Sequence, residues 1–256
     1  MTPKILIATP VRGASPESAD VCLGWSEATR RLSRDPSIEI AVAGFGCDLV
    51  RCRSRMVRQA LEADEFTHVL WWDADIIPRD MRILANMLAT GHDIVAAPYP
   101  RKLVDWGGAS VAGAACQPAE WGAYRYPYYR DPARGAGVSI NACVAVDHIG
   151  MGFMLTTTTC LQKIVDAYRS TLSFGDTAAN GDPVWTVAIF QLMIQGKQVS
   201  KGPYPLGALL SEDYSFCERA KACGFIPQMY LGEGSPVDHV GTHVFRGHRE
   251  GIARSQ

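Results

Sequence analysis

A short apolar run that ends in two aspartates constrains the fold of this chain more than any other stretch. Val69 to Trp72 is an uninterrupted apolar tetrapeptide, and Asp73-Ala74-Asp75 follows it directly. Such a run suits a strand that is buried on both faces, which is the usual condition in a parallel sheet. The sequence therefore predicts an α/β fold with two carboxylates at the carboxyl end of a strand, where open α/β sheets form their ligand crevice.

Other segments alternate between strand-like and helix-like patterns. The predicted strands are 4–8, 38–43, 69–72, 93–97 and 148–155, and the predicted helices are 17–32, 49–63, 81–89, 158–168, 183–195 and 211–223. This alternation is typical of a mostly parallel sheet with helices on both faces. Segment 98–147 interrupts the alternation with glycines, prolines, aromatics and arginines. It is expected to plug the core or to cover a substrate.

Composition limits the classes of function. The 256 residues are 47% apolar and 20% charged, and the net charge is −1, so the chain can bury a large core and no nucleic-acid-binding face is expected. The eight cysteines form no Cys-x-x-Cys pair, which favours reduced thiols over a zinc finger. No apolar run reaches transmembrane length. We expect a cytoplasmic location; the oligomeric state is left open.

The aspartate pair is a candidate metal site. If the chain bends after the strand, both Asp73 and Asp75 can reach one Mg²⁺ or Mn²⁺, ions that prefer oxygen ligands and commonly bridge carboxylates to phosphates. His239 is the first choice for a third ligand and His243 the second, because these two of the chain's six histidines lie close together beside glycines. An imidazole ligand favours Mn²⁺. The alternative is that the aspartates are turn or helix-capping residues and the histidines ordinary ones.

A second acidic pair, Glu212-Asp213, follows Ser211 at the predicted start of a helix. Acidic residues in a first turn also complement the helix dipole, so a structural role remains open. A carboxylate held by free backbone N–H groups stays ionised, as a general base must. Asp213 is therefore the candidate base, and Glu212 a candidate substrate-orienting group.

Asp48 and several arginines mark the beginning of a basic helix. Arg51 and Arg53 point to different sides of a helix, so only one or two of these groups can reach a phosphate or an aspartate. The planar fork of arginine suits such a contact. Arg55 and Arg58 are expected on a solvated face.

Together these segments resemble a nucleotide-sugar glycosyltransferase of the GT-A fold, in its family-2-like and Mnn9/Anp1-like branches. The matching blocks are Thr9-Pro10, Asp48-Leu49-Val50-Arg51-Cys52-Arg53-Ser54, Leu70-Trp71-Trp72-Asp73-Ala74-Asp75, and Ser211-Glu212-Asp213-Tyr214-Ser215-Phe216-Cys217 followed by His239-Val240-Gly241-Thr242-His243. Ser54 stands where the family has an asparagine. Gly150-Met151-Gly152-Phe153 is similar to the strand that lines the sugar pocket. The resemblance covers nearly the whole chain except 99–147.

The resemblance implies one catalytic domain over 1–256, with a nucleotide-binding half (1–97) and an acceptor-binding half (98–256). It implies Mn²⁺ or Mg²⁺ on Asp73, Asp75 and His239, a UDP- or GDP-type sugar donor and a carbohydrate acceptor. The residues expected to contact the donor are Thr9, Pro10, Arg12, Asp48, Arg51, Arg53, Asp73, Ala74 and Gly152. In an inverting enzyme Asp213 takes the proton of the acceptor hydroxyl, and in a retaining one the diphosphate does so. The acidic pair favours inversion.

Two rival functions remain. A sugar- or nucleotide-binding module without turnover needs no base. A nucleotidyltransferase also uses paired aspartates and a metal, but it needs a phosphate-cradling loop near the first strand. The segment Thr9-Pro10-Val11-Arg12-Gly13, expected to be a loop, offers only Arg12 and Gly13 for that task.

Overall fold

The computed structural model describes residues 3–12, 37–45, 48–103, 126–129, 141–178, 180–195, 207–240 and 244–247. The strands within these ranges are β1 (Ile5–Arg12), β2 (Ile38–Phe45), β3 (His68–Trp72), β4 (Ile76–Ile77), β5 (Ile94–Ala96), β6 (Tyr128–Tyr129), β7 (Cys143–Ala145), β8 (His148–Ile149), β9 (Phe153–Thr157), β10 (Ser173–Thr177), β11 (Pro183–Val187), β12 (Ile194–Gln195), β13 (Ala208–Leu209), β14 (Gln228–Tyr230), β15 (Asp238–Val240) and β16 (Val244–Phe245). The helices are α1 (Leu49–Glu62), α2 (Arg82–Ala89), α3 (Thr158–Leu172) and α4 (Glu212–Ala222).

A seven-stranded mixed sheet with the order β2-β1-β3-β9-β5-β14-β7 organises the fold. Five strands run in one direction, while β9 and β7 run in the other. The α/β class with a mostly parallel sheet is thus confirmed. Because β9 is antiparallel to β3 and β5, it begins at the edge where those two strands end. The residue before β9, Gly152, therefore lies beside the end of β3.

Strand β3 is buried on both faces, as its sequence predicts. Successive side chains of a strand point to opposite faces, and all four residues from Val69 to Trp72 have 0% exposure. Val69 and Trp71 belong to the hydrophobic layer that also contains residues of α1, α3 and α4. Leu70 and Trp72 belong to the opposite layer, which contains residues of α2. Helices therefore cover both faces of the sheet.

Helix α1 carries the arginines. The Asp48 side chain caps its N-terminus, accepting a hydrogen bond from the backbone N–H of Arg51 at 2.8 Å. An apolar stripe of Cys52, Met56, Val57 and Ala60 packs into the core. Arg53 lies on the buried side as well and is only 2% exposed.

The predicted loop after the first strand is wrong. Thr9 to Arg12 continue β1 and stay in register with β2, from Thr9 beside Val42 to Arg12 beside Phe45. The last pair of β1 with β3 is Ala8 beside Trp71. Pro10 lacks an N–H donor, which is tolerated where a strand has a partner on one side only.

The predicted helix over 183–195 is also wrong. Pro183–Val187 forms β11, which pairs antiparallel with β10. Val184, Trp185, Thr186 and Val187 are β-branched or aromatic, and this preference for strands outweighs the apolar spacing that suggested a helix. The helix predicted over 17–32 lies outside the described residues.

Five of the cysteines lie in the described ranges, and all five are free thiols, four of them buried. This agrees with the reduced thiols that the spacing predicts. None of the helices in the described ranges has the length and apolarity needed to span a lipid bilayer.

Candidate functional site

The chain turns sharply at the end of β3. The Asp73 carbonyl accepts a hydrogen bond from the backbone N–H of Ile76 at 3.0 Å, and the Asp73 N–H donates to the Gly152 carbonyl at 2.9 Å. The Asp75 carbonyl accepts from the N–H of Val240 at 2.8 Å. The bend that the sequence analysis required is therefore present. It holds both carboxylates at the carboxyl edge of the sheet, with Ala74 in the turn between them.

Arg53 joins the two acidic motifs. Its Nη2 lies 3.0 Å from Oδ1 and 3.3 Å from Oδ2 of Asp73, and its Nη1 lies 3.1 Å from Oε1 of Glu212. Burial lowers the pKa of Arg53, but the charges of Asp73, Glu212 and Asp213 outweigh it and leave the pKa raised. A buried guanidinium with two carboxylate partners stays charged.

The two aspartates of the motif differ in acidity. Burial raises the pKa of Asp73, and the neighbouring charge of Arg53 does not cancel that effect. Burial would also raise the pKa of Asp75, but hydrogen bonds and charges from His239 and Lys102 lower it to about 2. Asp75 is therefore fully ionised at neutral pH.

His239 lies beside Asp75 because β15 pairs with β4, with His239 opposite Ile76. Its Nε2 is 3.3 Å from Asp75 Oδ2, and its Nδ1 is 2.8 Å from the Pro100 carbonyl oxygen. The ring also packs edge-on against Tyr99, with centroids 5.3 Å apart. His243, the second choice, lies outside the described residues.

The Asp75–His239 pair fits a cation. The Pro100 carbonyl can only accept, so His239 Nδ1 carries a proton and donates to it, and Nε2 is the ring atom that faces Asp75 Oδ2. When Nε2 carries no proton, it and Asp75 Oδ2, 3.3 Å apart, can both bind one cation. Two ligands about 2.1 Å from one ion, at a right angle, lie about 3 Å apart. A carboxylate with an imidazole suits Mn²⁺.

The three-ligand set of Asp73, Asp75 and His239 stays a prediction. The described residues contain no group of three or more histidine, cysteine or acidic side chains arranged to hold a metal. The Asp73 carboxylate faces Arg53 instead. The geometry thus brings together two of the three predicted ligands, Asp75 and His239. Mg²⁺ and Mn²⁺ sites often take their remaining ligands from phosphate and water.

Helix α4 brings Asp213 to the same place. The Ser211 hydroxyl does not cap the backbone but donates to Asp213 Oδ1, which also accepts the N–H of Tyr214 at 2.9 Å. The expected backbone contact is present in the N–H of Tyr214, and the role of Asp213 as a base stays a prediction. Burial outweighs these hydrogen bonds and raises its pKa. A carboxylate with a raised pKa is a stronger base.

The site is rich in negative charge. Its acidic groups are Asp73, Asp75, Glu212 and Asp213, and its ion-paired cations are Arg53 and Lys102, whose Nζ is 2.6 Å from Asp75 Oδ2. The charges of Asp213 and Asp73 reach Tyr99 as well, where burial is the main cause of a pKa well above the usual value. The excess of carboxylates favours a further cation at this edge of the sheet.

Gly152 makes room for Tyr99. A Cβ at position 152 would lie 2.9 Å from Tyr99 ring carbons and 3.0 Å from Ile76 Cγ1. The Gly152 N–H also donates to the Tyr99 hydroxyl at 3.2 Å. The glycine therefore has a packing role at the end of β3, and its place in a sugar pocket stays a prediction.

The remaining predicted donor contacts have structural roles. Thr9 and Pro10 are buried within β1, and Arg12 ends that strand. Asp48 and Arg51 form the cap of α1 and an ion pair at 3.3 Å. Their contacts with a donor stay predictions.

Arg51 also lies over the Phe174 ring, 5.5 Å from its centroid. Arg55 is not simply solvated, because its Nε donates to Asp176 Oδ2 at 2.7 Å. Arg58 pairs with Glu62 on α1 at 3.3 Å. Arg51 and Arg55 thus contact residues outside α1, whereas Arg58 pairs within the helix. Of the four arginines in α1, Arg53 is the one that contacts Asp73.

Three residues of the site escaped sequence analysis: Tyr99, Pro100 and Lys102. They follow β5, whose carboxyl end lies at the same edge as that of β3. Their position after a predicted strand could have marked them as site residues. The irregular composition of 98–147 gave no reason to select individual residues.

Comparison with known proteins adds little. No family model matches the chain, and no curated protein matches it. Among solved structures, the crystal structure of A197 from STIV is similar, with 15% identity, a TM-score of 0.46, and coverage of 93% of this chain and 85% of that one. A likeness at this level carries no argument about function.

Arg53→Met tests the bridge between the acidic motifs. We expect it to lower the free energy of unfolding by about 2–4 kcal/mol, because it leaves Asp73 and Glu212 without their shared counter-charge. Asp73→Asn should lower the free energy of unfolding less in the Arg53→Met variant than in wild type. We expect a coupling energy between Arg53 and Asp73 of about 1–3 kcal/mol. Urea denaturation measures all three variants.

Arg169→Met is the matched control, since Arg169 is 61% exposed and pairs only across one helical turn with Asp166. It should cost less than about 0.5 kcal/mol. Equal losses for Arg53→Met and Arg169→Met contradict a stabilising bridge.

Proposed function

We propose that this chain is a metal-dependent glycosyltransferase with a GT-A-type fold, which moves a sugar from a nucleoside-diphosphate sugar to a hydroxyl of a carbohydrate acceptor. The observation that carries the proposal is the Asp75–His239 pair beside an acidic cluster joined by Arg53. Its place at the carboxyl edge of a mixed sheet supports the proposal, because ligands of α/β sheets bind there.

The charge of the site supports metal dependence. A diphosphate is anionic, and the carboxylates of Asp73, Asp75, Glu212 and Asp213 would repel it. Asp75 and His239 present the oxygen and nitrogen atoms that would hold a divalent ion. When bound, such an ion neutralises the diphosphate and makes it a better leaving group. Arg53 keeps Asp73 oriented at the same edge.

Asp213 suits the role of base. As the acceptor oxygen attacks the anomeric carbon, its proton passes to Asp213 and the diphosphate leaves with the bonding electrons. A pKa raised by burial improves proton transfer at neutral pH. This favours inversion over the retaining route, in which the diphosphate itself takes the proton. Glu212, fixed by Arg53, is positioned to orient the acceptor.

The first strand removes one candidate for the loop of the rival enzyme class. A nucleotidyltransferase needs a phosphate-cradling loop near this strand, and Thr9 to Arg12 continue the strand beside β2 instead of forming one. Residues 13–36 lie outside the described ranges. A binding module without turnover would use the same residues to bind its ligand. It differs from the proposed enzyme in that Asp213 would not take a proton from an acceptor.

Calorimetric titration with UDP and GDP, with and without Mn²⁺, tests the donor site. We expect one of the two diphosphates to bind wild type only when Mn²⁺ is present. Asp75→Ala should abolish that binding, because it removes the ionised carboxylate of the pair.

Asp166→Ala is the control for this titration. The Asp166 side chain is 56% exposed on α3 and lies in an ion pair with Arg169, so the variant should bind like wild type. The donor-site proposal fails if neither diphosphate binds under any metal condition, or if Asp75→Ala binds as tightly as Asp166→Ala.

Turnover by wild type separates an enzyme from a binding module, and Asp213→Asn tests the base. With the diphosphate sugar of the base found by titration, and oligosaccharides as acceptors, we expect turnover to fall about 10²–10⁴-fold. Nucleotide affinity should stay unchanged, since Asp213 does not hold the ion. Asp166→Asn should keep full turnover. Unchanged turnover in Asp213→Asn would remove this residue as the base and favour the retaining route.

A further inference from the structure

Lys102 is the second side chain that contacts the Asp75 carboxylate, and sequence analysis gave it no individual role. Its Nζ lies 2.6 Å from Asp75 Oδ2, the same oxygen that faces His239 Nε2 at 3.3 Å. The Lys102 side chain is 38% exposed and that of Asp75 is 31% exposed. The ammonium group thus lies against a ligand atom of the proposed metal site.

Lys102 occupies the side of Asp75 that a metal ion would need. Its Nζ and His239 Nε2 both lie against Asp75 Oδ2, which is the carboxylate oxygen of the proposed ion site. An ammonium group and a divalent ion at the same oxygen repel each other. An ion that binds between Asp75 and His239 therefore competes with Lys102.

We propose that Lys102 is a resident cation on Asp75, which a divalent ion displaces, and that the displaced ammonium group then pairs with the diphosphate of the donor. This inference rests on the proposed function and names a further residue of its donor site. The exchange replaces the Lys102–Asp75 ion pair with an ion–carboxylate bond. The lysine keeps its proton, and no covalent bond changes.

The backbone just before Lys102 is anchored at two points. The Pro98 carbonyl accepts from the N–H of Val237 at 3.1 Å, and the Pro100 carbonyl accepts from His239. Arg101 forms a hydrogen bond with Tyr214 at the start of α4. Burial raises the pKa of Tyr214, and the charge and hydrogen bond of Arg101 lower it in part. Lys102 can therefore leave Asp75 by rotating its flexible side chain, without movement of the backbone.

The proposal predicts effects of opposite sign on two ligands. Without Lys102 the ion meets no competitor, so the affinity for Mn²⁺ rises. The diphosphate loses a cationic partner, so the affinity for the nucleotide falls. A lysine that only stabilised the fold would weaken both, and a lysine outside the site would change neither.

The experiment measures Mn²⁺ binding without nucleotide, from the electron paramagnetic resonance signal of the free ion. We expect Lys102→Met to bind Mn²⁺ about three- to tenfold more tightly than wild type, since it loses one competing charge on a partly exposed carboxylate. Lys102→Arg should stay within about twofold of wild type, because it keeps the charge. Circular dichroism verifies that each variant is folded.

Lys221→Met is the matched control for the change in net charge. Lys221 pairs with Glu218 at 2.8 Å on α4, and that pair lies outside the site. This variant should bind Mn²⁺ like wild type. At saturating Mn²⁺, Lys102→Met should bind UDP or GDP, whichever wild type takes, at least about threefold more weakly.

The outcomes separate this inference from the proposed function. If Mn²⁺ binds wild type and Lys102→Met equally, the role of Lys102 is overturned and the metal site stands. Nucleotide binding without Mn²⁺ that Lys102→Met abolishes also overturns it, because Lys102 would then replace the ion. If Mn²⁺ binds to none of the proteins, the metal site of the proposed function fails, and this inference fails with it.

Discussion

The rest of the site depends on the two ion pairs of the buried Arg53 guanidinium. It joins Asp73, at the end of β3, to Glu212, at the start of α4, two residues far apart in the sequence. Four carboxylates would otherwise repel one another at the edge of the sheet. With Arg53 in place, Asp73 and Glu212 share one counter-charge, and Asp75 has its own partners in Lys102 and His239.

The sheet topology supplies the remaining positions. The antiparallel strand β9 lies between β3 and β5, so the ends of both strands and the start of β9 meet at one edge. There Gly152 leaves space for Tyr99, which packs against His239. The segment after β5 delivers the Pro100 carbonyl and Lys102 to the Asp75–His239 pair. The imidazole and the carboxylate are thus fixed by several elements, which is the condition for a preorganised site.

Much of this arrangement was predictable, because it depends on local signals. The apolar run before Asp73 predicted the α/β class. The acidic start of α4 gave the candidate base, and the two histidines beside glycines gave the candidate third ligand. The sequence did not show which of Arg51 and Arg53 contacts the aspartate. Helical spacing shows that the two side chains point to different sides of the helix, but not which one faces the sheet. The prediction of a helix over 183–195 was wrong because pairing with β10 makes residues 183–187 a strand, and that partner cannot be recognised from the local sequence. Lys102 lies in a segment without periodicity, and only strand order brings it to Asp75.

The central claim is that Asp75 and His239 receive a divalent ion, and anomalous diffraction at the manganese edge tests it most directly. Crystals soaked in Mn²⁺ and the diphosphate selected by titration should show one strong peak within bonding distance of an Asp75 carboxylate oxygen and His239 Nε2. Lys102 should have left Asp75 and should lie against the diphosphate. A manganese peak elsewhere, or none, with Lys102 still paired to Asp75, would contradict the account.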